Sequence, residues 1–266
     1  MGHLSHSGRY SADGEDGHMN EDKETSKSGA DILRHEARDA GFRAPETEAR
    51  NLACVEAHLE RFVGPVDTVL HELVSDRIHL DLLHIAPTDE RPFQVVVTSG
   101  MSDLPMQVPE DMAEFARAEL LVALPPDWPL DQEALANENH YWPLRWLKQV
   151  ARLPHDYDTW VGWGHSIPNG DPAQPIADTG FTGVCLAPPY WLDPEFFQLK
   201  AKSGDTVCFF DLVPVYAAEM QLKLDQGFAE LESRFEDANI GFVLDKDRPN
   251  VGEKNENGAL ADPVES

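Results

Sequence analysis

The sequence predicts an α+β fold: a mixed, largely antiparallel sheet flanked by helices in a single layered domain, with a disordered tail at each end. Three observations predict it. Residues 95–98 are all β-branched, which is typical of a strand buried on both faces. Helical patterns come first and last along the chain, with runs of strands between them. The hydrophobic fraction of 41% suffices for a sizeable core in a chain of 266 residues.

Two segments are too polar to fold by themselves. Residues 1–28 are rich in Ser, Gly, His, Asp and Glu and lack an apolar period, and residues 244–266 have a similar composition. Neither segment can bury enough apolar surface to offset the entropy of ordering. We therefore expect one folded domain over residues 29–243, between two disordered acidic tails.

The first half of the domain is predicted to contain two helices and then four strands. Ser28 caps a first helix that stops at Gly41, and Pro45 opens a second one with one apolar face. Alternating apolar residues then predict a hairpin that turns at 75–77. A short apolar run before Pro125 adds a strand next to the β-branched one. These strands span 66–74, 78–85, 93–98 and 119–124.

The second half alternates helices and strands before two closing helices. Asp131 caps a brief helix to Asn137, and Pro143 opens a longer one with its apolar residues on one face. Apolar and aromatic runs predict four more strands, of which the last two are joined by a turn at 203–205. These strands span 159–163, 180–187, 196–200 and 206–212, and the closing helices span 216–226 and 228–238.

The charge of the chain restricts the partners that it can bind. The formal net charge is −27, and residues 29–243 alone carry 36 acids against 15 bases, or −21. Such a surface repels nucleic acid and anionic membranes and attracts cationic partners, although it can also serve solubility. The sequence has no signal peptide and no apolar run near the roughly 18 residues of a membrane span. We therefore expect a cytoplasmic protein with a protein partner.

Neither the cysteines nor any sequence signature indicates a cofactor. Cys54, Cys185 and Cys208 are widely spaced among apolar residues, which favours buried free thiols. A Walker loop, a dinucleotide fingerprint and a zinc signature are all missing from the sequence. We therefore expect no cofactor and no metal. Aromatic residues near the ends of elements are expected in the core, with one or two as anchors for a partner: Trp142, Trp146, Tyr190, Trp191, Phe196 and Phe197.

A polar loop after the β-branched strand is the first candidate binding site. Loops held by rigid strands are where sites usually lie, and a purely structural role is an equal alternative. Trp163, Gly164 and His165 form the second candidate, because glycine allows close approach and the tryptophan can wall a pocket. A histidine that only fixes a loop is the alternative there. The loop residues are Ser99, Gly100, Met101, Ser102 and Asp103.

Two sequence patterns contain groups that are used in catalysis or metal binding, but neither matches a complete site. Residues 100–104 are similar to the G-x-S-x-G elbow of hydrolases, and His165 lies downstream, but Leu104 replaces the second glycine. A hydrolase using Ser102 and His165 is therefore kept as an alternative function, and no catalytic residue is predicted. His79, Asp81 and His84 contain metal-binding groups. On a strand His84 faces away from the other two, which predicts a structural pairing of Asp81 with a nearby histidine instead.

Several ordered motifs resemble one family over about residues 66–243. They are TSGMSDLPM at 98–106, His79-Leu80-Asp81 before it, Glu119-Leu120, Leu124-Pro125 and Asp127-Trp128 after it, the stretch 160–168, and Pro214-Val215-Tyr216 followed by Glu219, Lys223 and Gly227. Together they resemble the suppressor of fused family, in its single-domain bacterial branch. That family is best known for binding a transcription factor in animal Hedgehog signalling, and its bacterial members include immunity proteins of toxin systems.

The resemblance implies a noncatalytic protein-binding domain with a mixed sheet. Combined with the acidity, it predicts an immunity protein that neutralises a basic toxin, with an edge strand or the loop 99–103 as the place that can receive a peptide. A regulatory domain with no dedicated toxin partner is the remaining alternative.

Overall fold

The β-branched run forms the third strand of an eight-stranded sheet, and all six residues of that strand are buried. The computed structural model describes residues 24–35, 50–72 and 77–253. In chain order the strands are β1 (Thr68–Leu70), β2 (Asp81–Ile85), β3 (Gln94–Ser99), β4 (Ala118–Leu124), β5 (Ser166–Pro168), β6 (Gly183–Ala187), β7 (Gln198–Lys200) and β8 (Thr206–Val215).

The strand order across the sheet is β1-β2-β3-β4-β8-β6-β5, and β7 also pairs with β8. β4 and β8 run parallel, with Ala118 opposite Cys208, and every other pair is antiparallel. The predicted mixed and largely antiparallel sheet is therefore confirmed. β3 lies between β2 and β4, so its backbone is paired on both sides, as a β-branched strand buried on both faces requires.

Four helices pack against this sheet through three apolar clusters. Val55 and Leu59 of the first helix are fully buried against one cluster, and Trp142 and Leu147 of the second belong to another. Leu231 anchors the last helix in the third. Burying each such side chain stabilises the fold by about 1.5–3 kcal/mol. The helices are α1 (Leu52–Phe62), α2 (Glu138–Tyr157), α3 (Ala217–Gln226) and α4 (Phe228–Asp237).

None of the helices in the described part of the chain is both long and apolar enough to span a membrane. The longest of them, α2, carries a charged or polar face opposite its apolar one. All three cysteines are free: Cys185 and Cys208 are buried, as predicted, and Cys54 is half-buried.

Two elements predicted from the sequence are wrong in the second half of the domain. The strand predicted at 159–163 does not form, because the chain turns at Trp163 and Gly164; the strand β5 follows instead. The helix predicted to begin at Pro143 begins at Glu138, where Asn137 caps it by accepting a hydrogen bond from Asn139 N at 3.1 Å. A good cap and a continuous apolar face outweigh the one hydrogen bond that a proline removes.

The first predicted elements are shorter or different in the structure. Residues 28–35 are not helical; the chain folds back, and Thr25 pairs with Asp31. The rest of that predicted helix, the start of the next one at Pro45 and most of the hairpin turn lie outside the described residues. The brief helix predicted from Asp131 is reduced to one 3-10 turn, Ala134–Ala136.

The folded part extends beyond residue 243, where the sequence analysis ended it. Leu244 donates its N–H to the carbonyl of Ala123 at 2.8 Å, and Val251 is fully buried. The segment reaches α3, because a Cβ on Gly252 would lie 2.3 Å from the backbone of Ala218. Residues 244–253 are thus packed, contrary to the expectation of a tail from 244. Residues 1–23 and 254–266 lie outside the described residues.

Candidate protein-binding site

The polar loop after β3 is buried. Gly100 has a φ of +118°, and Met101–Asp103 form a single 3-10 turn. A Cβ on Gly100 would lie 1.9 Å from the carbonyl oxygen of His79, so this close approach needs a glycine. All five loop residues predicted to bind a partner are buried, and Ser102 is 0% exposed. The loop is therefore part of the framework, and its contact with a partner stays a prediction.

The carboxyl group of Glu119 on β4 fixes this loop through hydrogen bonds. Its Oε1 accepts hydrogen bonds from the N–H groups of Gly100 and Ser102, both at 3.0 Å, and its Oε2 accepts one from the hydroxyl of Thr98 at 2.6 Å. The side chain is completely buried. Burial raises the pKa of this carboxyl to about 7, against the opposing effect of those hydrogen bonds. Glu119, the one charged residue of β4, therefore satisfies backbone donors that would otherwise be buried unpaired.

Asp103 joins the loop to the start of α1. Its carboxylate accepts hydrogen bonds from the N–H groups of Arg50 and Asn51, at 3.0 and 3.2 Å. The side-chain amide of Asn51 in turn donates to Ser102 Oγ at 3.1 Å. N–H groups at a helix start have no partner within the helix, and here the loop supplies one.

The second candidate forms a tight turn that presents one aromatic side chain to solvent. Gly164 has a φ of +76°, and its N–H donates to the carbonyl of Leu186 at 2.8 Å. Leu186 N donates back to the carbonyl of His165 at 2.9 Å. These two hydrogen bonds fix the turn to the sheet. Trp163 lies at the tip of the turn, and its side chain is 58% exposed. Of the predicted binding residues, Trp163 is the one whose side chain a partner can reach directly.

Ser102 and His165, the pair of the alternative hydrolase hypothesis, are not hydrogen-bonded to each other among the described residues. A hydrolase of this type needs the two side chains within hydrogen-bond reach. In the part of the chain that the structure describes, Ser102 Oγ bonds to Asn51, and no hydrogen bond joins it to His165. The ring of His165 instead lies 4.2 Å from that of Trp160. Burial lowers the pKa of His165 to about 4, with the charge of Lys223 acting in the same direction.

A cavity of about 860 Å³ opens between α4, the ends of β6 and β8, and residues 240–245. Its size is typical of a site that takes one ligand group. Tyr190 and Phe242, which are 65% and 45% exposed, both line it. The rings of Trp191 and Phe242 stack there at 4.7 Å. Of the six aromatic residues expected mostly in the core, Tyr190 and Trp191 thus line this cavity, whereas Trp142 and Phe196 are fully buried.

The lining of this cavity is acidic as well as aromatic. Asp211, which sequence reasoning missed, accepts a hydrogen bond from Trp191 Nε1 at 2.6 Å, and burial raises its pKa to about 8. Burial also raises the pKa of Glu232, whose Oε1 is buried with no hydrogen-bond partner among the described residues. The base in the lining, Arg248, is already paired with Glu219. The cavity therefore offers apolar walls and buried carboxyl groups.

His79, Asp81 and His84 are arranged as the sequence predicts, and His71 joins them at Asp81. Asp81 lies 3.1 Å from the ring nitrogen Nδ1 of His71 and 3.3 Å from Nε2 of His79. The predicted pairing of Asp81 with a nearby histidine is therefore present. His84 faces away, as expected, and its Nε2 lies 2.8 Å from the side-chain oxygen of Gln94.

These features define the class of protein: an acidic α+β domain with a buried framework loop and an aromatic cavity. The sequence model of the family described as Suppressor of fused protein (SUFU) matches residues 76–249. The chain therefore belongs to the suppressor of fused family. No protein with a curated description matches the sequence.

Two solved structures have a similar fold. One is a SUFU homolog from Neisseria gonorrhoeae FA 1090, with a TM-score of 0.53 and 18% identity over 76% of this chain and 96% of that chain. The other is a chain of the Sufu-Fu complex, with a TM-score of 0.55 and 16% identity over 82% of this chain and 100% of that chain. At these identities the likeness shows the fold.

Proposed function

We propose that this protein is a noncatalytic binding protein of the cytoplasm that takes a basic protein partner, and that this partner is a toxin which it neutralises. The observation that carries the proposal is the cavity in which exposed aromatic rings stand beside buried acids. Membership of the suppressor of fused family supports a protein-interaction role. One structural relative is named in a complex, Sufu-Fu.

The cavity suits a lysine or arginine side chain of the partner. An apolar stem can pack on Phe228 and Phe235, and a cationic head can lie against the aromatic faces and the acceptors Asp211 and Glu232. The buried Glu232 Oε1 gains the hydrogen bond that it lacks in the described part of the chain. Trp163 offers a second anchor, since exposed tryptophans contribute much of the energy of an interface.

The formal charge of −27 acts on the approach of a partner more than on the final contacts. A strongly acidic protein attracts basic proteins and repels nucleic acid, which carries the same sign of charge. A basic toxin such as a nuclease would thus be drawn to this surface, and its own cationic site would be covered once bound.

The test captures basic proteins from the native lysate on the immobilised chain and then produces each captured protein in cells with and without this protein. We expect the wild-type chain to restore growth, and the double variant Tyr190→Ala, Phe242→Ala to bind at least about 30-fold more weakly, as loss of hot-spot side chains predicts. Leu33→Ala, at an exposed apolar side chain that does not line the cavity, is the control for a general surface effect. Absence of growth rescue would refute the immunity role, and unchanged affinity of the double variant would refute the cavity as the binding site.

A further inference from the structure

The beginning of β2 carries a compact cluster of three metal-binding groups: His71, His79 and Asp81. One ligand atom from each lies within 4.8 Å of the other two. The arrangement follows from strand register, because Leu70 pairs with Leu82 and the next antiparallel pair places His71 opposite Asp81. His79 precedes Asp81 by two residues, so the two side chains share a face of the strand.

We propose that this cluster is a binding site for a divalent transition metal ion, of which Zn²⁺ is the best match. Two imidazoles and one carboxylate form a ligand set that zinc uses in proteins, with water in a fourth position. Ligands at about 2.0–2.1 Å from a tetrahedral zinc lie about 3.3 Å from one another. His71 Nδ1 lies 3.1 Å from Asp81 Oδ2, and His79 Nε2 lies 3.3 Å from Asp81 Oδ1, so each histidine already stands at ligand spacing from one of the two carboxylate oxygens.

The two histidines can reach ligand spacing from each other by a small movement of the His71 ring at the surface. The side chain of His71 is 65% exposed, so its ring can rotate toward His79 without disturbing the core. Its second nitrogen can then donate a proton to solvent, which leaves Nδ1 free as a ligand. The metal replaces the hydrogen atom that now bridges His71 and the carboxylate, and each neutral histidine keeps its one proton on the ring nitrogen that does not bind the metal.

The surroundings fix the carboxylate and leave it available to a cation. The side chain of Asp81 is 5% exposed, and its Oδ1 accepts a hydrogen bond from Glu72 N at 3.3 Å. Such a backbone contact orients a ligand in the way that outer contacts do in known metal sites. The carboxylate of Glu72 is held by Arg152 of α2. The net charge of the chain also raises the local concentration of cations.

The site is independent of the proposed function. It shares no residue with the aromatic cavity, which is lined from β6, β8 and α4, whereas the cluster lies at the β1–β2 side of the sheet. Failure of the toxin test would leave the metal site standing, and the reverse also holds.

The test is a calorimetric titration of the full chain with Zn²⁺ at about pH 7.5, in an excess of Mg²⁺, which prefers oxygen ligands. His3, His6 and His18 near the N-terminus can also bind zinc, so the comparison between variants decides rather than the total stoichiometry. We expect His71→Ala and Asp81→Asn each to lose one equivalent of zinc or to bind it at least about tenfold more weakly, as loss of a ligand predicts. His84→Ala, on the same strand but bonded to Gln94, should titrate like the wild type.

Cobalt gives a second readout that does not depend on stoichiometry. Co²⁺ in a four-coordinate site absorbs visible light strongly, so the wild type should show an absorption band that His71→Ala lacks. Identical zinc titrations and identical cobalt spectra for wild type and His71→Ala would overturn the proposal. Because His71 is exposed, that variant decides the question even where Asp81→Asn does not fold.

Discussion

The guanidinium of Arg248 and the carboxylate of Glu219 form a two-point ion pair with both contacts at 2.7 Å. The two side chains are 7% and 0% exposed. The same carboxylate accepts hydrogen bonds from the N–H groups of Tyr216 and Val251, both at 3.0 Å. One buried acid therefore ties the start of α3 to a segment that follows α4, and the stability of this end of the domain depends on its partner.

Arg248→Met should therefore destabilise the protein strongly. The variant keeps much of the side-chain volume but leaves Glu219 buried without its counter-ion, which costs about 3–5 kcal/mol in comparable pairs. Urea unfolding measures the loss. Lys246→Met is the matched control, because the pair of Lys246 with Asp178 is about one-third exposed and should contribute less than about 1 kcal/mol.

The same pair predicts where the chain can be shortened. A chain that ends at Val243 loses Arg248 and should be as unstable as Arg248→Met, whereas a chain that ends at Glu253 keeps every contact described above. Equal stability of the chain ending at Val243 and the full chain would show that the segment 244–253 adds nothing to the fold.

Gly100→Ala should destabilise the fold strongly, while Gly204→Ala should be tolerated. Both glycines have a positive φ, +118° and +90°, so alanine at either position costs about 1–2 kcal/mol for the backbone alone. Only at Gly100 would the added Cβ also meet a carbonyl oxygen, that of His79 at 1.9 Å; around Gly204 no atom lies within 4 Å. The difference between the two melting temperatures isolates the close approach, and equal melting temperatures would contradict it.

Glu119 should make stability depend on pH. Burial raises its pKa from an ordinary value of 4.5 to about 7, so the unfolded chain releases this proton first as the pH rises. The contribution of the neutral carboxyl is therefore complete below pH 4.5 and is lost by about pH 7, a change of about 3 kcal/mol. Glu119→Gln should remove this slope.

The measurement is the free energy of unfolding of both proteins at several pH values between about 4 and 8. Asp211, whose pKa burial raises to about 8, acts with the same sign in wild type and variant, so the difference between the two proteins isolates Glu119. A difference that stays constant across this range would show that folding does not shift the pKa of Glu119.

The central strand and the alternation of its neighbours could be predicted from the sequence because local composition determines them. The predicted hairpin, turning at 75–77, already placed His71 opposite Asp81, so register alone could have found the third histidine of the cluster. The burial of the loop 99–103 could not be predicted from the sequence. It depends on Glu119, an acid within an apolar run, whose side chain points inward because it accepts hydrogen bonds from the N–H groups of this loop.

The aromatic cavity was beyond sequence reasoning for a different reason. Its walls come from segments far apart in the chain, near Tyr190, Asp211, Glu232 and Phe242, and no local pattern links them. The packed segment after residue 243 was missed because a single arginine and a single valine anchor it, rather than an apolar period.

The last prediction concerns the rates at which the partner binds and leaves. The protein carries a formal charge of −27, so a basic partner is attracted before contact, and salt should weaken that attraction beyond a Debye length of about 8 Å at physiological ionic strength. The association rate constant should therefore fall steeply with added salt. The dissociation rate constant should barely change, because the aromatic contacts in the cavity are shielded from water.

Two variants separate these effects. Glu236→Gln removes an exposed acid at the cavity and should slow association with little effect on dissociation, because charges at the rim act mainly on the encounter. Tyr190→Ala should do the opposite, since it removes apolar contact but no charge. Surface plasmon resonance at low and high salt measures both rate constants. If association is indifferent to salt and to Glu236→Gln, the acidity does not guide the partner, and its role is to keep the protein soluble.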